Sequence, residues 1–321
     1  MHEKVSQLYR NALDSIQLGV EDYQSNDPKR VISAVRNYYG GVLLLAKEVL
    51  ANSVPDANPD ELLGENYKPV RGESGIEFIQ KGPRTIDASS IQDRFDDFEI
   101  EVDLKPLKAL QRIRNDVEHR YTDQPASMVR NAIATSFVVV ADLFRELDQQ
   151  PAVALGAAWN TMLEAKGLYD RELAACNATF ADVKWTSATL SNADFVCPEC
   201  DSNLLAQADP ENTSQSSMDC ICRNCGKAVE QSEVVVAALN AHLGAHDYIA
   251  VKDGGEPAVY DCPECSNAAY LIYGEDIGCA VCEFQLDDEC VGCGTSLTPE
   301  NVAWDNHHLC SYCEHVLNKD D

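Results

Sequence analysis

The chain has 321 residues, of which 45% are hydrophobic, as expected of a globular protein with two or three domains. Residues 1–150 hold 25 acidic and 18 basic residues, a net charge of −7, whereas residues 151–321 hold 28 and 7, a net of −21. Because binding of a nucleic-acid backbone needs a surface of Lys and Arg, this charge excludes simple phosphate attraction in the second half. Any RNA contact is expected in the first half. The acidity fits solubility or a saline habitat as well as it fits a basic partner protein.

The N-terminus and the apolar stretches bear on the cellular compartment. The first ten residues, MHEKVSQLYR, begin an amphipathic pattern without the apolar core of a signal peptide. The longest apolar stretch, residues 132–144, is too short for a membrane span and is broken by polar residues. We therefore expect a cytoplasmic protein with no membrane partner. In that compartment the 14 cysteines indicate metal ligands before they indicate disulfides.

The first half, residues 1–150, has the periodicity of amphipathic helices. The pattern predicts four long helices, at 3–24, 28–51, 105–121 and 125–147. Asp27 and Pro28 suit the N-cap and first turn of the second helix. An insertion at about 52–103 is rich in Pro and Gly; in it, IEFIQ and TID are candidate strands around KGPR, and SSIQDRFDDF is a short capped helix. Four helices with one long connection predict an up-and-down bundle.

The second half changes to short segments punctuated by cysteines. A helical linker is predicted at 151–190, with its helical segment at about 154–182. Three small units that resemble each other follow, together with one short helical connector. We place the units at 191–232, 259–286 and 287–321 and the connector at 233–258.

Six CxxC pairs lie in the second half and, taken two at a time in chain order, form three sets of four cysteines. The pairs within a set are separated by loops of 21, 13 and 16 residues. Tetrahedral zinc takes four soft sulfur ligands, and two intervening residues let one tight turn present both sulfurs of a pair. The spacing predicts three zinc ribbons, with iron–sulfur clusters or disulfides as the alternatives. The predicted Zn²⁺ ligands are Cys197, Cys200, Cys222, Cys225, Cys262, Cys265, Cys279, Cys282, Cys290, Cys293, Cys310 and Cys313.

Closed sites of four cysteines predict structural rather than catalytic zinc, because catalytic zinc keeps an open position for water. Each ion is expected to supply folding free energy on the order of 10 kcal/mol. The acidic ribbon surfaces are then candidates for recognition of an unidentified protein partner. The predicted fold class is α with a small β content: an N-terminal helical bundle followed by a C-terminal array of zinc ribbons.

Two cysteines fall outside this scheme, and two histidines have the spacing of a separate metal pair. Cys176 lies on the apolar side of the linker helix and is expected to be buried. Cys220 is an alternative to Cys222 as a ligand, although its spacing to the next cysteine is less suitable. His242 and His246 have the i, i+4 spacing of a metal pair, but no third ligand is evident beside them. Solvent-facing histidines are the favoured interpretation.

The stretch RIRNDVEHRY, residues 112–121, places many polar side chains at the end of the third predicted helix. Asn115 and His119 are four residues apart and share a face. Arg114 and His119 are separated by about 140° around an ideal helix. Two chains packed about a two-fold axis can bring both kinds of side chain into one cleft. Alternatively, Arg114 pairs with Glu118, and His119 caps the carbonyl groups at the helix end.

The segment Arg114–His119, RNDVEH, matches the R-φ-x3-H motif of the HEPN superfamily, in which φ is usually Asn, Asp or His. The motif lies near the end of a third helix and ahead of a long fourth helix, as in that superfamily. The resemblance covers about residues 1–150 and does not include the ribbons. It implies a HEPN-like helical bundle that forms a homodimer with a composite cleft, which in many members is a metal-independent endoribonuclease.

The resemblance also implies a role for each motif residue. His119 would be the general acid/base for attack of a ribose 2′-OH on the adjacent phosphate. Arg114 would hold that phosphate and stabilise its transition-state charge, and Asn115 would orient either group. The products would carry a 2′,3′-cyclic phosphate and a 5′-hydroxyl. The flanking residues that can grip the RNA backbone or stack on a base are Arg112, Arg120 and Tyr121.

The leading prediction is a homodimeric HEPN-type ribonuclease whose ribbons recognise a partner or restrain the nuclease, by analogy with defence or toxin-like systems. The alternative is a non-catalytic HEPN dimer that acts as a scaffold and presents its ribbons to protein partners. A weaker third possibility makes the ribbons nucleic-acid readers, and seven bases in the second half argue against it.

Overall fold

The structure is a computed structural model that describes residues 6–25, 27–71, 75–80, 82–119 and 125–319. The chain forms two compact units, Met1–Arg171 and Glu172–Asp321. The division falls inside the segment 151–190 that we predicted to be a linker.

Unit 1 is helical, with one β-hairpin in its insertion. All four predicted long helices are present as α1, α2, α5 and α6, and α2 packs against the other three. The predicted short helix of the insertion is present as α4. The elements are α1 Gln7–Gln24, α2 Pro28–Ser53, α3 Pro59–Leu63, β1 Tyr67–Arg71, β2 Ile76–Gln80, α4 Ala88–Asp97, α5 Leu107–His119, α6 Ala126–Glu146, α7 Pro151–Leu155 and α8 Ala157–Leu163. The next helix, α9 Lys166–Ala178, spans the division between the two units.

Local capping residues fix where two of these helices begin. The Ser6 hydroxyl accepts a hydrogen bond from the Tyr9 backbone N–H at 2.9 Å, at the start of α1. The Asp27 carboxylate accepts from the Lys29 N–H at 2.9 Å, with Pro28 in the first turn of α2. Each cap satisfies a backbone donor that has no partner within its helix. The predicted start of α2 is confirmed.

Helices α1 and α2 approach each other so closely that two glycines form the contact. A Cβ atom added to Gly19 would lie 2.5 Å from the Tyr38 backbone nitrogen. A Cβ atom added to Gly41 would lie 2.7 Å from the Ile16 backbone nitrogen. Both distances are far below a van der Waals contact, so this packing requires glycine at both positions.

Large aromatic side chains fill the core of unit 1. Phe137 of α6 packs edge-on against both Tyr38 and Tyr23, with ring centroids 5.5 Å apart in each pair. Trp159 of α8 is fully buried. The Gln24 side-chain amide donates to the Thr161 hydroxyl at 2.7 Å, which ties α8 to α1.

The helical segment predicted at about 154–182 is not one helix. It is broken into α7, α8 and α9, and the first break lies at Gly156, where φ is +56°. A helix does not continue through a residue in that conformation, which glycine adopts readily.

The insertion contains an antiparallel hairpin of β1 and β2. The strand IEFIQ is confirmed as β2, but its partner is YKPVR of β1 rather than TID. Thr85 forms only an isolated bridge with Gly64. Pro69 weakened the strand signal of β1, yet proline is tolerated because this two-stranded sheet has only edge strands.

Unit 2 contains two three-stranded antiparallel sheets and a long helix. The sheets have the orders β3–β4–β5 and β6–β7–β8. The elements are α10 Ala188–Ser191, β3 Leu205–Gln207, β4 Cys220–Cys222, β5 Ala228–Val229, α11 Gln231–Lys252, β6 Val259–Asp261, β7 Ala268–Tyr273, β8 Asp276–Cys279 and α12 Ser311–Leu317, with a 3₁₀ turn at Gln215–Ser217.

Helix α11 contributes to a core that both sheets share. Val234, Val235 and Leu239 are fully buried in one cluster with side chains of both sheets. The segment predicted as a short connector therefore carries part of the hydrophobic core. The third cysteine-rich region, which contains residues 290–313, has its own small cluster of buried hydrophobic side chains, which includes Val302 and Leu309.

Two of the tryptophans of the chain lie in unit 2, in different surroundings. Trp185 stacks on Phe195 with centroids 5.2 Å apart, and Phe195 stacks in turn on Phe180. Trp304, in the third cysteine-rich region, is 50% exposed.

Helices α6 and α11 are long and apolar enough to cross a membrane by length and composition alone. Core helices pass the same test. Of an apolar 18-residue stretch of α6, 56% is buried inside the protein, whereas for the corresponding stretch of α11 the buried share is 28%. The apolar stretch 132–144, which we judged too short for a membrane span, is only part of α6, and the helix extends beyond it on both sides.

Asp276, at the start of β8, fastens the β7–β8 hairpin to α10. Its carboxylate accepts hydrogen bonds from the Thr189 N–H at 2.7 Å, the Ala188 N–H at 3.0 Å and the Ser187 hydroxyl at 2.9 Å. Burial raises the pKa of Asp276, but these hydrogen bonds outweigh burial, and the pKa lies below its ordinary value of 3.8.

Asp276→Ala is expected to lower the free energy of unfolding by about 1–3 kcal/mol at neutral pH, because the donors at the start of α10 lose their acceptor. A carboxyl whose pKa is lowered by folding stabilises the folded state above its unfolded pKa, here 3.8. This stabilisation is lost as the pH falls through the lower folded value. Urea unfolding at pH 7 and in strong acid checks the prediction: the difference between wild type and variant should shrink in acid. Glu275→Ala, at the exposed neighbouring position, is the control.

Candidate functional site

The cysteines of the six CxxC pairs come together as three groups of four. In each group the four Sγ atoms lie within 4.8 Å of one another. Among the described residues, these are the groups of His, Cys, Asp and Glu side chains able to hold a metal ion. The groups, in the predicted pairing, are Cys197, Cys200, Cys222 and Cys225; Cys262, Cys265, Cys279 and Cys282; and Cys290, Cys293, Cys310 and Cys313.

Distances between sulfurs match a tetrahedral metal site. In the first group, Sγ of Cys197 lies 3.8 Å from that of Cys225, and Sγ of Cys200 lies 3.7 Å from that of Cys222. The second and third groups have distances of 3.7 and 3.8 Å. A tetrahedron with metal–sulfur bonds of about 2.3 Å has edges of about 3.8 Å. A disulfide requires about 2.05 Å between its sulfurs, so the spacing favours a metal cage over disulfides.

Tight turns in the left-handed region position five of the six pairs. The residue after the second cysteine has a positive φ in each of these turns. In two of the turns this residue is glycine, Gly226 and Gly294, which adopts a positive φ without strain. The other three turns have side-chain-bearing residues at this position: Asp201, Ser266 and Glu283. That conformation costs on the order of 1 kcal/mol or more for such residues, which indicates that the cage holds the turns in shape.

The cages vary in how readily their thiols ionise. Burial raises the pKa of Cys222 and of Cys279. In contrast, the hydrogen bond from the Cys310 backbone N–H to the Cys290 sulfur, 3.2 Å long, is the main cause that lowers the pKa of Cys290 to about 6. Thiolates rather than thiols bind a metal, so a bound cation is needed to keep four of them together.

Cys220 and Cys176 stand outside the cages. Cys220 shares strand β4 with Cys222, but its Sγ lies 3.5 Å from the Met218 carbonyl oxygen. Burial raises the pKa of Cys220 to about 12 and that of Cys176 to about 11, as expected of inert thiols. The alternative in which Cys220 replaces Cys222 is therefore wrong.

Both histidines of the α11 pair are exposed. His246 bonds to Asp247 at 3.1 Å and packs edge-on against Tyr273. His242 is exposed and belongs to none of the metal-capable groups in the described part of the chain. Solvent-facing histidines, the favoured prediction, agree with these surroundings.

The charged end of α5 is described as far as the backbone of His119. Arg114 Nη1 donates to Asn115 Oδ1 at 3.3 Å, so two motif residues contact each other. Burial raises the pKa of Tyr39 to about 12 while the nearby charge of Arg114 acts to lower it, which places the guanidinium close to α2. His119 is the last residue of α5, and its side chain, like Arg120 and Tyr121, lies outside the described residues.

A cleft of about 480 Å³ between α4 and the start of α5 is lined by basic side chains. Lys105, Lys108 and Arg112 line it, and Asp93 is the single acidic residue among the described lining residues. Arg112 was predicted as an RNA contact, whereas Lys105 and Lys108 were missed. The spacing of three residues from Lys105 to Lys108 and of four from Lys108 to Arg112 could have indicated that these basic residues lie on one side. The cleft itself forms only because α4 packs beside them.

One face of α5 carries cleft positions 108 and 112 together with motif positions 115 and 119, whereas Arg114 lies at least about 100° away around the helix. At about 100° per residue, positions 108, 112, 115 and 119 lie within about 60° of one another around the helix. The cleft can attract an anion, and the cages can hold metal ions.

In comparisons with protein-family models, curated proteins and solved structures, nothing matched the chain.

Proposed function

We propose that this protein is a metal-independent endoribonuclease of the HEPN type, active as a homodimer, whose C-terminal half is folded by three structural zinc ions. The basic cleft beside α5 carries the proposal. An acidic chain with a net charge of −28 repels RNA unless the catalytic region is locally positive. Lys108 and Arg112 supply positive charge on the helix that bears Arg114 and Asn115. Lys105, just before that helix, also lines the cleft and pairs with Asp103.

In the proposed reaction, His119 takes the proton of a ribose 2′-OH, and the 2′-oxygen attacks the neighbouring phosphorus. The bond from phosphorus to the 5′-oxygen breaks, and that oxygen accepts a proton from the imidazolium of either subunit. Arg114 stabilises the extra negative charge on the phosphate. No metal takes part in these steps.

Zinc is the metal we propose for the cages, because closed tetrahedral sites of four cysteines joined as CxxC turns are typical of structural zinc. The residues that would hold it are those of the three cysteine groups. When bound, the ions would supply folding free energy, because the strands beside the cages are only two to six residues long.

The test is incubation of full-length protein with end-labelled RNA in buffer without added divalent metal. His119→Ala and Arg114→Ala are each expected to lower the cleavage rate by about 10²–10⁴-fold, because one removes the proton-transfer group and the other the phosphate ligand. Mass spectrometry of the wild-type products should show 2′,3′-cyclic phosphate and 5′-hydroxyl ends.

Two substitutions at exposed positions outside the proposed site, His242→Ala and Arg10→Ala, are the matched controls and should cut at the wild-type rate. An RNA with a single deoxyribose at the cleavage position should resist cleavage there. Cleavage that persists in both motif variants would refute the assigned site. A monomer in light scattering would contradict the composite cleft.

A non-catalytic scaffold is the second candidate function, and the surface of the third cysteine-rich region favours it. Tyr312 is 73% exposed and Val291 is 75% exposed, within an acidic neighbourhood. Exposed aromatic and apolar side chains are common at protein–protein contacts. Absence of cleavage for every RNA tested, with the dimer intact, would favour this scaffold.

A further inference from the structure

The β1–β2 hairpin of unit 1 has a face that combines aromatic, apolar and basic side chains and carries no carboxylate. Directly opposed residues of an antiparallel pair lie on the same face of the sheet. The register pairs the residues of β1 and β2 one to one, from Tyr67 with Gln80 to Arg71 with Ile76. The members of this hairpin face are Tyr67, Pro69, Arg71, Ile76, Phe78 and Gln80.

Large apolar side chains of the hairpin face are unusually accessible. Ile76 is 74% exposed and Phe78 is 63% exposed. Burying such side chains against the bundle would stabilise the fold, so their exposure needs another explanation. Tyr67 lies diagonally across the strands from Phe78, at a separation of about 7–8 Å that aromatic side chains can bridge.

The hairpin is locally positive in a strongly acidic chain. Its described strands and the backbone-bonded pair Glu65 and Arg84 beside them contain three exposed bases, Lys68, Arg71 and Arg84, against two acids, Glu65 and Glu77. Lys68 pairs with Ile79 and Glu77 pairs with Val70, so both lie on the opposite face, and Arg71 is the cation of the hairpin face itself. A second copy of the chain packed on this face would bring its own Arg71 toward this one, and like charges repel. A polyanion with flat, stackable groups fits the combination of cations and aromatic rings.

We propose that the hairpin face binds single-stranded nucleic acid, with Phe78 stacked on a base and Arg71 in contact with a phosphate. Stacking tolerates any base, so the site is expected to have little sequence preference. The inference does not depend on the proposed cleavage reaction, because binding by this face requires neither His119 nor a 2′-OH.

The test is fluorescence anisotropy of a labelled oligothymidylate with the full-length protein at several low salt concentrations. Deoxythymidine strands have no 2′-OH, so the proposed ribonuclease reaction cannot cut the probe. Phe78→Ala is expected to weaken binding about ten-fold, the lower end of what one base–aromatic stack contributes. Arg71→Gln is expected to reduce the slope of log Kd against log salt by about 0.7, the value for one phosphate contact on a single strand.

Ile79→Ala is the matched control, because Ile79 is 50% exposed on the same strand but on the opposite face. It should bind like wild type. Equal losses in Phe78→Ala and Ile79→Ala, or no binding at the lowest salt, would overturn the proposal. If Phe78→Ala instead abolishes a dimer in light scattering and leaves anisotropy unchanged, the face belongs to a second copy of the chain and the nucleic-acid site is refuted. Failure of RNA cleavage with intact probe binding would reject only the nuclease.

Discussion

Cys222→Ser is expected to lower the content of the proposed zinc from three ions to two per chain and to destabilise unit 2. Three sulfurs cannot close a tetrahedral cage, and a structural zinc ion contributes on the order of 10 kcal/mol to folding. The loss extends beyond the first cage, because its strands share one core with α11 and with the β6–β7–β8 sheet. Elemental analysis by mass spectrometry counts the zinc, and circular dichroism with thermal unfolding reports the loss of structure.

Cys220→Ser is the control for this experiment, since it removes a thiol from the same strand, two residues away. It should keep all three ions, because Cys220 lies outside the cages. Its cost in stability is that of placing a hydroxyl where a buried thiol packs, about 1–3 kcal/mol. Loss of an ion from Cys220→Ser, or retention of three by Cys222→Ser, would refute the ligand assignment.

Gly41→Ala is expected to destabilise unit 1 by about 1–3 kcal/mol, although alanine favours helices. The added Cβ would meet the backbone of α1 at 2.7 Å, and backbone atoms cannot rotate away as a side chain does. The helices must separate, which disturbs the aromatic packing around Tyr38. Thermal and urea unfolding of the full chain measure the change.

The preceding residue offers a matched comparison. Gly40 belongs to the same helix, and a Cβ added there meets nothing within 4 Å. Gly40→Ala should therefore stabilise the protein by up to about 1 kcal/mol, the difference in helix propensity. Equal effects of the two substitutions would contradict the close contact of α1 and α2.

Local signals made most of the helices predictable. The start of α2 follows from Asp27 and Pro28, since the cap and the first turn lie within three residues of each other. The break at Gly156 was missed, because glycine also occurs inside helices, as at Gly41. Which conformation a glycine takes depends on the packing around it rather than on its neighbours in sequence.

The grouping of the cysteines could be predicted from local spacing, whereas the pairing of the strands depended on the tertiary structure. The CxxC spacing identified all twelve cage residues because both cysteines of a pair sit on one turn. The choice between Cys220 and Cys222 was open, since both are on β4 and only the position of the opposing turn separates them. The partner of β2 was predicted wrongly, because Pro69 made β1 look unlike a strand although an edge strand tolerates proline.

Features that arise between elements were the least predictable. Lys105 and Lys108 form a cleft only because α4 packs beside them. The central role of α11 was likewise missed, since its burial depends on two sheets that are distant in sequence. The resemblance to HEPN domains supplied a hypothesis for the Arg114–His119 segment, and that hypothesis stays a prediction until cleavage is measured.

The three tryptophans lie in three different regions of the chain, so tryptophan fluorescence can report on each region separately. Trp159 emits from the dry interior of the helical unit, Trp185 from an aromatic stack, and Trp304 from a half-solvated position in the third cysteine-rich region. Indole emission shifts to the red as it meets water, so the helical core, the shared sheet core and the terminal module each have their own fluorophore. Variants that retain one tryptophan apiece would therefore resolve the order in which these parts come apart.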